Sequence, residues 1–311
     1  MTKTAGPFDP FRKQLGAFTR GAKPIDDGDA EAVHRTRVAS RRLREMLPVL
    51  GLDSAATLKL GRRLKKVTNR LGEVRELDVL TLMIQELSDD PRHSSTALKQ
   101  VGTAVQRDRA RVRTRLAARV PFEKIRRLAR HLRRAVRQHE TDGERSGLQR
   151  STPGSSHAWV WAVDARVTRR AMGVCSAIET AGSLYVLERL HDVRIAVKKL
   201  RYAMELAAEA RRQRGSRDIA ALKAAQDLLG RLHDLEVLNG RARQEQASLA
   251  PPTLAVWREL DSLIRTLGDD CRALHARYMH QRAKLAEIAE RLCETREHAR
   301  VNRRAVGADA G

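Results

Sequence analysis

The sequence predicts an all-α fold built from two tandem-duplicated helical bundles. The most abundant residues of the 311-residue chain, Ala, Leu, Arg and Glu, all favour helices. In almost every segment the apolar residues recur at the period of an amphipathic helix rather than at the alternation of a strand. Two blocks of sequence also occur twice and in the same order, which indicates an internal repeat.

Turn signals divide the chain into helical segments. They lie at residues 23–29, 51–54, 89–91, 120–121, 215–216 and 251–252. Small polar residues just before the next apolar run are candidate N-caps: Asp53 or Ser54, Ser94 or Ser95, and Ser216. We therefore expect helices to begin next to these caps.

The middle of the chain contains the best candidate linker. Residues 141–156 are rich in Gly, Ser, Thr and Pro. We expect one domain over residues 8–300, with a first helical repeat at 8–140 and a second at 157–300. The two repeats should form similar bundles that face each other.

The repeat itself consists of two matched blocks. Residues 34–44 align with residues 191–201 at an offset of 157, and residues 71–80 align with residues 229–238 at an offset of 158. Two matched blocks in the same order are hard to obtain by chance. The chain is therefore a tandem duplication.

The first block of each repeat places basic residues on one face of a helix. At about 100° per residue, the first copy groups four of them, which we call the first basic stripe: His34, Arg37, Arg41 and Arg44. The second basic stripe is His191, Arg194, Lys198 and Arg201. Arg42 and Lys199 lie at the stripe edges. The opposite faces are apolar, with Ala39, Leu43, Met46, Leu47 and Leu50 in the first copy and Ala196, Leu200, Ala203, Met204 and Ala207 in the second.

Like charges along one helix face repel each other, so the stripes call for a neutralising partner. Apart from Glu45, the first stripe has almost no acidic neighbours on its own face. The planar fork of an arginine matches two phosphate oxygens at once, which favours a phosphate-containing ligand. The alternative is a solvated face that pairs with acids on a neighbouring helix.

Further matched residues support the stripes. Lys65 and Lys223 occupy equivalent positions and extend the basic surface, whereas the nearby Arg62, Arg63 and Lys66 align with alanines. The first repeat is therefore the more basic one on this helix.

The second block adds a glycine and an acid to each repeat. Gly72 and Gly230 are expected to let helices approach closely, at a cost of about 1 kcal/mol in helix propensity. Asp78 and Glu236 are expected to hold basic side chains in place by paired hydrogen bonds.

The net charge of +23 favours a polyanionic partner, because such a surplus otherwise opposes compact folding. Nucleic acid, an anionic membrane, an acidic protein and a phosphate polymer all qualify, and a GC-rich genome that prefers Arg would also raise the charge. The chain has neither a membrane-spanning apolar run nor a signal-peptide core, and its three cysteines are scattered, so we expect a cytoplasmic protein. Without a phosphate-cradling glycine loop or a metal-binding motif, we expect no cofactor, no metal and no enzymatic activity.

The motifs resemble those of the CHAD family, an all-helical group named for its histidines. The resemblance rests on His-x-x-Arg followed by Arg/Lys-Arg/Lys-Leu-Arg, and on the later Leu-Gly-x-x-Arg/His-Glu/Asp-Leu-Asp/Glu-Val-Leu. It covers residues 8–297, and residues 190–202 are especially close to the second-half signature. The pattern departs from the family at Arg75, whose partner is His233, and at Glu236, which replaces the usual Asp.

The resemblance implies two bundles related by a pseudo-twofold around a basic central cavity. It further implies a stand-alone domain that binds inorganic polyphosphate at polyphosphate granules of bacteria or archaea. Carried over residue by residue, the binding set is His34, Arg37, Arg41, Arg42, Arg44, Lys65, His191, Arg194, Lys198, Lys199, Arg201 and Lys223.

Two other functions stay open at this point. A non-specific nucleic-acid binder could use the same phosphate contacts, although the few aromatic residues, 3% of the chain, do not interleave with the stripes. A phosphotransferase could use His34 or His191 as a nucleophile. Polyphosphate suits the stripes best because it carries about one negative charge per unit and no bases to be read.

Overall fold

The computed structural model describes residues 8–21, 25, 29–120, 122–145, 154–213, 215–250 and 253–308. Within these residues every regular element is a helix, which confirms the predicted all-α fold. The predicted turn at 251–252, most of the turn at 23–29, and residues 146–153 of the predicted linker lie outside the described residues.

The helices of the described residues follow one another with short connections. They are α1 (Asp9–Arg20), α2 (Ala30–Met46), α3 (Ser54–Ser88), α4 (Ser95–Arg119), α5 (Phe122–Arg145), α6 (Gly154–Ala181), α7 (Leu187–Ala210), α8 (Arg217–Ala247) and α9 (Leu254–Ala308). A 3₁₀ turn, Leu47–Val49, follows α2. No described helix combines the length and the apolar composition that are needed to span a membrane.

Three predicted caps begin helices as expected. The carboxylate of Asp53 accepts a hydrogen bond from the backbone N–H of Ala56 at 2.8 Å. The hydroxyl of Ser94 accepts from the N–H of Ala97 at 3.1 Å, and that of Ser216 accepts from the N–H of Ile219 at 3.3 Å. Each bond satisfies a backbone donor that the first turn of a helix leaves open.

The chain packs into two compact units. Among the described residues, the first unit comprises 8–145 and 232–273, and the second comprises 154–231 and 274–308. Part of α8 and part of α9 thus pack with the first half of the chain. A unit is defined by packing and a repeat by sequence, so the repeat boundaries, the pseudo-twofold and the central cavity stay predictions.

The stripe helices bury the apolar faces that the helical wheel predicts. In the first unit α2 packs against α3, where the hydroxyls of Ser40 and Thr68 lie 2.8 Å apart in a buried contact. The buried apolar side chains of the first copy are Ala39, Leu43, Met46, Leu47 and Leu50. In the second unit α7 packs against α6 and buries Leu200, Ala203, Met204 and Ala207. Ala196 is only half-buried, so the apolar face of α7 is narrower there than predicted.

Candidate anion-binding site

The first basic stripe lies along α2 in the first unit. All four of its members, and Arg42 at its edge, are half-buried. Each takes part in polar or electrostatic interactions within the protein. Part of every side chain therefore remains accessible while its neighbours order the rest.

Arg37 is seated on the glycine of the second block. A Cβ added to Gly72 would lie 3.3 Å from the Nε of Arg37 and 3.4 Å from its Nη2. The space above this glycine is thus taken by a guanidinium group. The sequence predicted close packing of two helices at Gly72, whereas the neighbour in the structure is a side chain of the stripe.

The second repeat contains the same arrangement. A Cβ added to Gly230 would lie 3.8 Å from the Nε of Arg194 and 3.9 Å from its Nη2. In both repeats the arginine of the first block therefore lies over the glycine of the second. This contact explains physically why the two blocks recur together.

Both stripe histidines lie in a positive environment. Burial lowers the pKa of His34, and Arg75, Arg37 and Arg41 lower it further, while Glu31 acts in the opposite direction. A lowered pKa favours the neutral form of the imidazole. A neutral imidazole offers one N–H donor to a ligand.

Burial also lowers the pKa of His191, followed by the charges of Arg194 and Lys198, with Asp192 opposing them. The structure thus gathers cations around the histidine at the head of each stripe. Arg75 belongs to the cations around His34. In the sequence it is recognisable only as a departure from the family pattern. Its proximity to His34 depends on how α3 packs against α2, which spacing within one helix does not reveal.

Other members of the second basic stripe are held differently. Lys198 is buried, with 8% of its surface exposed, whereas its counterpart Arg41 is half-buried. The guanidinium of Arg201 pairs with Glu205, donates from Nε to Gln226 at 3.0 Å and lies 4.7 Å from the ring centre of Tyr202. The acid that pairs with Arg201 lies on the same helix, not on a neighbouring helix as the alternative interpretation of the stripes required.

The three remaining members of the predicted set are exposed. They are Lys65 on α3, Lys199 on α7 and Lys223 on α8. In the described residues, Lys65 and Lys223 enter no hydrogen bond or ion pair with a protein group. They add positive charge to the surface without forming part of a packed cluster.

Asp78 has the role predicted for it. Its carboxylate is buried, and one oxygen accepts from the Nε of Arg109 at 2.6 Å and from the Nη2 of Arg113 at 3.1 Å. It thereby orders two arginines of α4. Its counterpart Glu236 is half-buried and also takes part in interactions within the protein.

Within the described residues, no group of three or more His, Cys, Asp or Glu side chains could hold a metal ion. What the arrangement offers chemically is a set of ordered guanidinium, ammonium and imidazole donors. These are the groups that bind phosphate oxygens.

Comparison with known proteins assigns the family. The family model of the CHAD domain matches residues 11–243, which include both blocks of both repeats. The chain belongs to the CHAD domain family. This confirms the resemblance stated from the motifs.

Two solved structures share the fold. The CHAD domain from the plant Ricinus communis is 23% identical, with a TM-score of 0.57 over 90% of this chain and 93% of that chain. PptA from Streptomyces chartreusis is 18% identical, with a TM-score of 0.53 over 93% of this chain and 96% of that chain. No curated protein matches the sequence.

Proposed function

We propose that the protein binds inorganic polyphosphate through the two basic stripes. The observation that carries this proposal is an arginine that lies over a glycine in both repeats, beside a histidine whose pKa is lowered by burial and then by surrounding cations. The CHAD domain family is associated with polyphosphate and triphosphate binding, which agrees with the proposal.

The chemistry of polyphosphate suits the two arginines that lie over glycines. A guanidinium held in one orientation loses less conformational entropy when it binds two phosphate oxygens than a mobile one does. The neighbouring imidazole adds an N–H donor, and the exposed lysines add charge around the chain of anions. Binding of this kind needs no cofactor, and we propose no catalytic step.

Reversing the charge of the seated arginines tests the proposal. In the double variant Arg37→Glu and Arg194→Glu, affinity for long-chain polyphosphate should fall by about 100-fold or more, since each charge-assisted hydrogen bond contributes about 1.5–3 kcal/mol. The matched control is Arg35→Glu with Arg189→Glu, which changes the net charge equally at two exposed positions of the same two helices.

Titration with labelled polyphosphate measures the affinity, and circular dichroism monitors the fold. Equal losses in both double variants would mean that only net charge matters. A loss of helicity in the Arg37 and Arg194 variant would show that the stripe is structural, and either result contradicts the proposal.

Salt dependence provides a second test. Each neutralised phosphate releases counterions, so the affinity should fall steeply as the salt concentration is raised. The slope of log K against the logarithm of salt concentration measures this dependence. A flat response would contradict a site driven by charge.

Nucleic-acid binding is the alternative function, and competition separates the two. At equal phosphate concentration and moderate salt, duplex DNA should fail to displace long-chain polyphosphate. Displacement would place nucleic-acid binding first. The aromatic residues argue only against the binding of single strands: Trp159 is buried, and the exposed Trp161 and Trp257 lie outside both stripes.

Phosphotransfer through a stripe histidine is the third function. We expect no release or transfer of phosphate when the parent protein is incubated with polyphosphate. An activity that disappears in His34→Ala or His191→Ala would overturn this part of the proposal.

We also propose that the protein resides at polyphosphate granules. A fluorescent fusion should colocalise with stained granules, and the Arg37→Glu, Arg194→Glu fusion should lose this location. If the variant fusion stays at the granules, its location there does not depend on polyphosphate binding by the stripes.

A further inference from the structure

A second basic site lies in the first unit, apart from the stripe. A cavity of about 420 Å³ opens between the first half of α3, the end of α4 and the start of α5. Six cationic side chains line it: Arg63, Lys66 and Arg70 from α3, Arg119 from α4, and Lys124 and Arg127 from α5. No carboxylate belongs to its lining.

These cations are not neutralised by the protein. In the described residues the side chains of Arg63, Lys66, Arg70, Arg119 and Arg127 enter no ion pair or hydrogen bond with a protein group. Other basic residues of this unit do have acidic partners, since Arg109 and Arg113 of α4 both pair with Asp78 of α3. Six cationic side chains around one space add up to a positive local potential. The cavity therefore attracts anions strongly.

Apolar and hydrogen-bonded groups complete the cavity. Val120 and Leu128 are buried in its wall, which lowers the local dielectric constant and strengthens the attraction for an anion. The Nζ of Lys124 donates to the backbone oxygen of Arg119 at 3.2 Å and ties the corner between α4 and α5 together. The Nδ1 of His131 donates to the backbone oxygen of Arg127 at 2.8 Å, which orients the ring within the same turn of α5.

The cavity and the first basic stripe use opposite sides of α3. Thr68 and Gly72 contact α2, through Ser40 and Arg37 respectively. At about 100° per residue they lie roughly 140–180° around the helix from Arg63. The two sites are thus separated by the body of the helix.

The second repeat lacks the equivalent residues. At the offset of the second block, Arg63 and Lys66 align with Ala221 and Ala224, and Arg70 aligns with Leu228. The three cations that α3 contributes are therefore absent from the second repeat, unlike the stripes, and the duplicated function does not account for them.

We propose that this cavity binds a compact phosphoanion of about three linked phosphates, either free or at the end of a longer chain. A space of about 420 Å³ is of the size that holds a small ligand. Tripolyphosphate is a compact ligand that carries several negative charges, which suits a lining of six cations. The proposal does not depend on binding of polymer by the stripes.

Lysine footprinting locates the ligand directly. Acetylation of the full chain, read by mass spectrometry, should be slowed more than tenfold at Lys66 and Lys124 when tripolyphosphate is added. The exposed Lys99 on α4 lies outside the cavity and should react unchanged. Equal protection of Lys99, or no protection of Lys66 and Lys124, would overturn the proposal.

Two variants separate this site from the stripes. Arg63→Ala with Arg70→Leu installs the residues of the second repeat and should abolish the protection, while circular dichroism stays unchanged. Arg37→Glu with Arg194→Glu should leave the protection intact even if polymer binding is lost. Loss of protection in the stripe variant would mean that the cavity is not an independent site.

Comparison of ligands distinguishes the two sources of the phosphates. If only tripolyphosphate protects the lysines, the ligand is a free small anion. If long-chain polyphosphate protects them equally at the same concentration of chain ends, the ligand is the end of the polymer. Both results support a compact ligand. Protection that follows total phosphate units and is absent with tripolyphosphate would overturn it.

Discussion

Alanine at Gly72 should disturb its arginine, whereas alanine at Gly230 should not. Both glycines lie inside long helices, where alanine is more favourable by up to about 1 kcal/mol. At Gly230 the new Cβ would lie 3.8 Å from the nearest atom of Arg194, an ordinary van der Waals contact. At Gly72 it would lie 3.3 Å from the Nε of Arg37, which is too close, so this side chain must move.

The two substitutions should therefore differ in the free energy of unfolding. We expect Gly230→Ala to gain about 0.5–1 kcal/mol. In Gly72→Ala this gain should be cancelled, because displacing a side chain from its rotamer costs about 0.5–1.5 kcal/mol. Urea unfolding measures both values. If polyphosphate binds to the arginines over these glycines, its affinity should also fall several-fold in Gly72→Ala and stay within twofold in Gly230→Ala.

A double-mutant cycle isolates the contact between Gly72 and Arg37. In an Arg37→Ala background the obstacle is absent, so Gly72→Ala should recover the full gain of about 1 kcal/mol. Equal gains from Gly72→Ala and Gly230→Ala in the parent protein would refute the reasoning. So would a Gly72→Ala effect that is the same with and without Arg37.

Three further predictions concern ionisable groups that are buried or half-buried. Asp78→Ala should lower the free energy of unfolding in urea by about 3 kcal/mol, because Arg109 and Arg113 lose their buried partner; a change below about 1 kcal/mol would contradict this. Since the pKa of His34 is lowered from 6.5 by burial and by Arg75, the unfolded state takes up protons first, so stability should fall as the pH drops below about 6.5. Urea unfolding at two pH values should therefore show that acid lowers the free energy of unfolding less in His34→Gln than in the parent protein. Burial raises the pKa of Cys293 to about 11, so its alkylation by iodoacetamide should be slow at pH 7 and should accelerate as the pH rises towards that value.

Local patterns of the sequence determined much of the fold. The helical period placed Leu43 and Met46 on a buried face, and the positions of Asp53 and Ser94 marked where α3 and α4 begin. These features depend on interactions within about one turn of helix, so the residues that form them lie close together in the sequence. The duplication likewise needed only alignment of the two halves.

Contacts between helices could not be obtained in this way. The sequence identified Arg37 and Gly72 as parts of separate blocks, but their contact spans 35 residues and depends on how α2 and α3 pack. The same limit applies to Arg75. In the sequence it is only a departure from the family pattern, whereas the packing of the helices brings it close to His34.

The cavity of the first unit illustrates the division most clearly. The sequence determined that α3 is more basic in the first repeat, because Arg63 and Lys66 align with alanines. Only the tertiary structure decided that these cations meet Arg119 and Arg127 around one space. Periodicity places a residue on a face of its own helix, whereas the electrostatic field of a site is the sum over charges that three packed helices bring together.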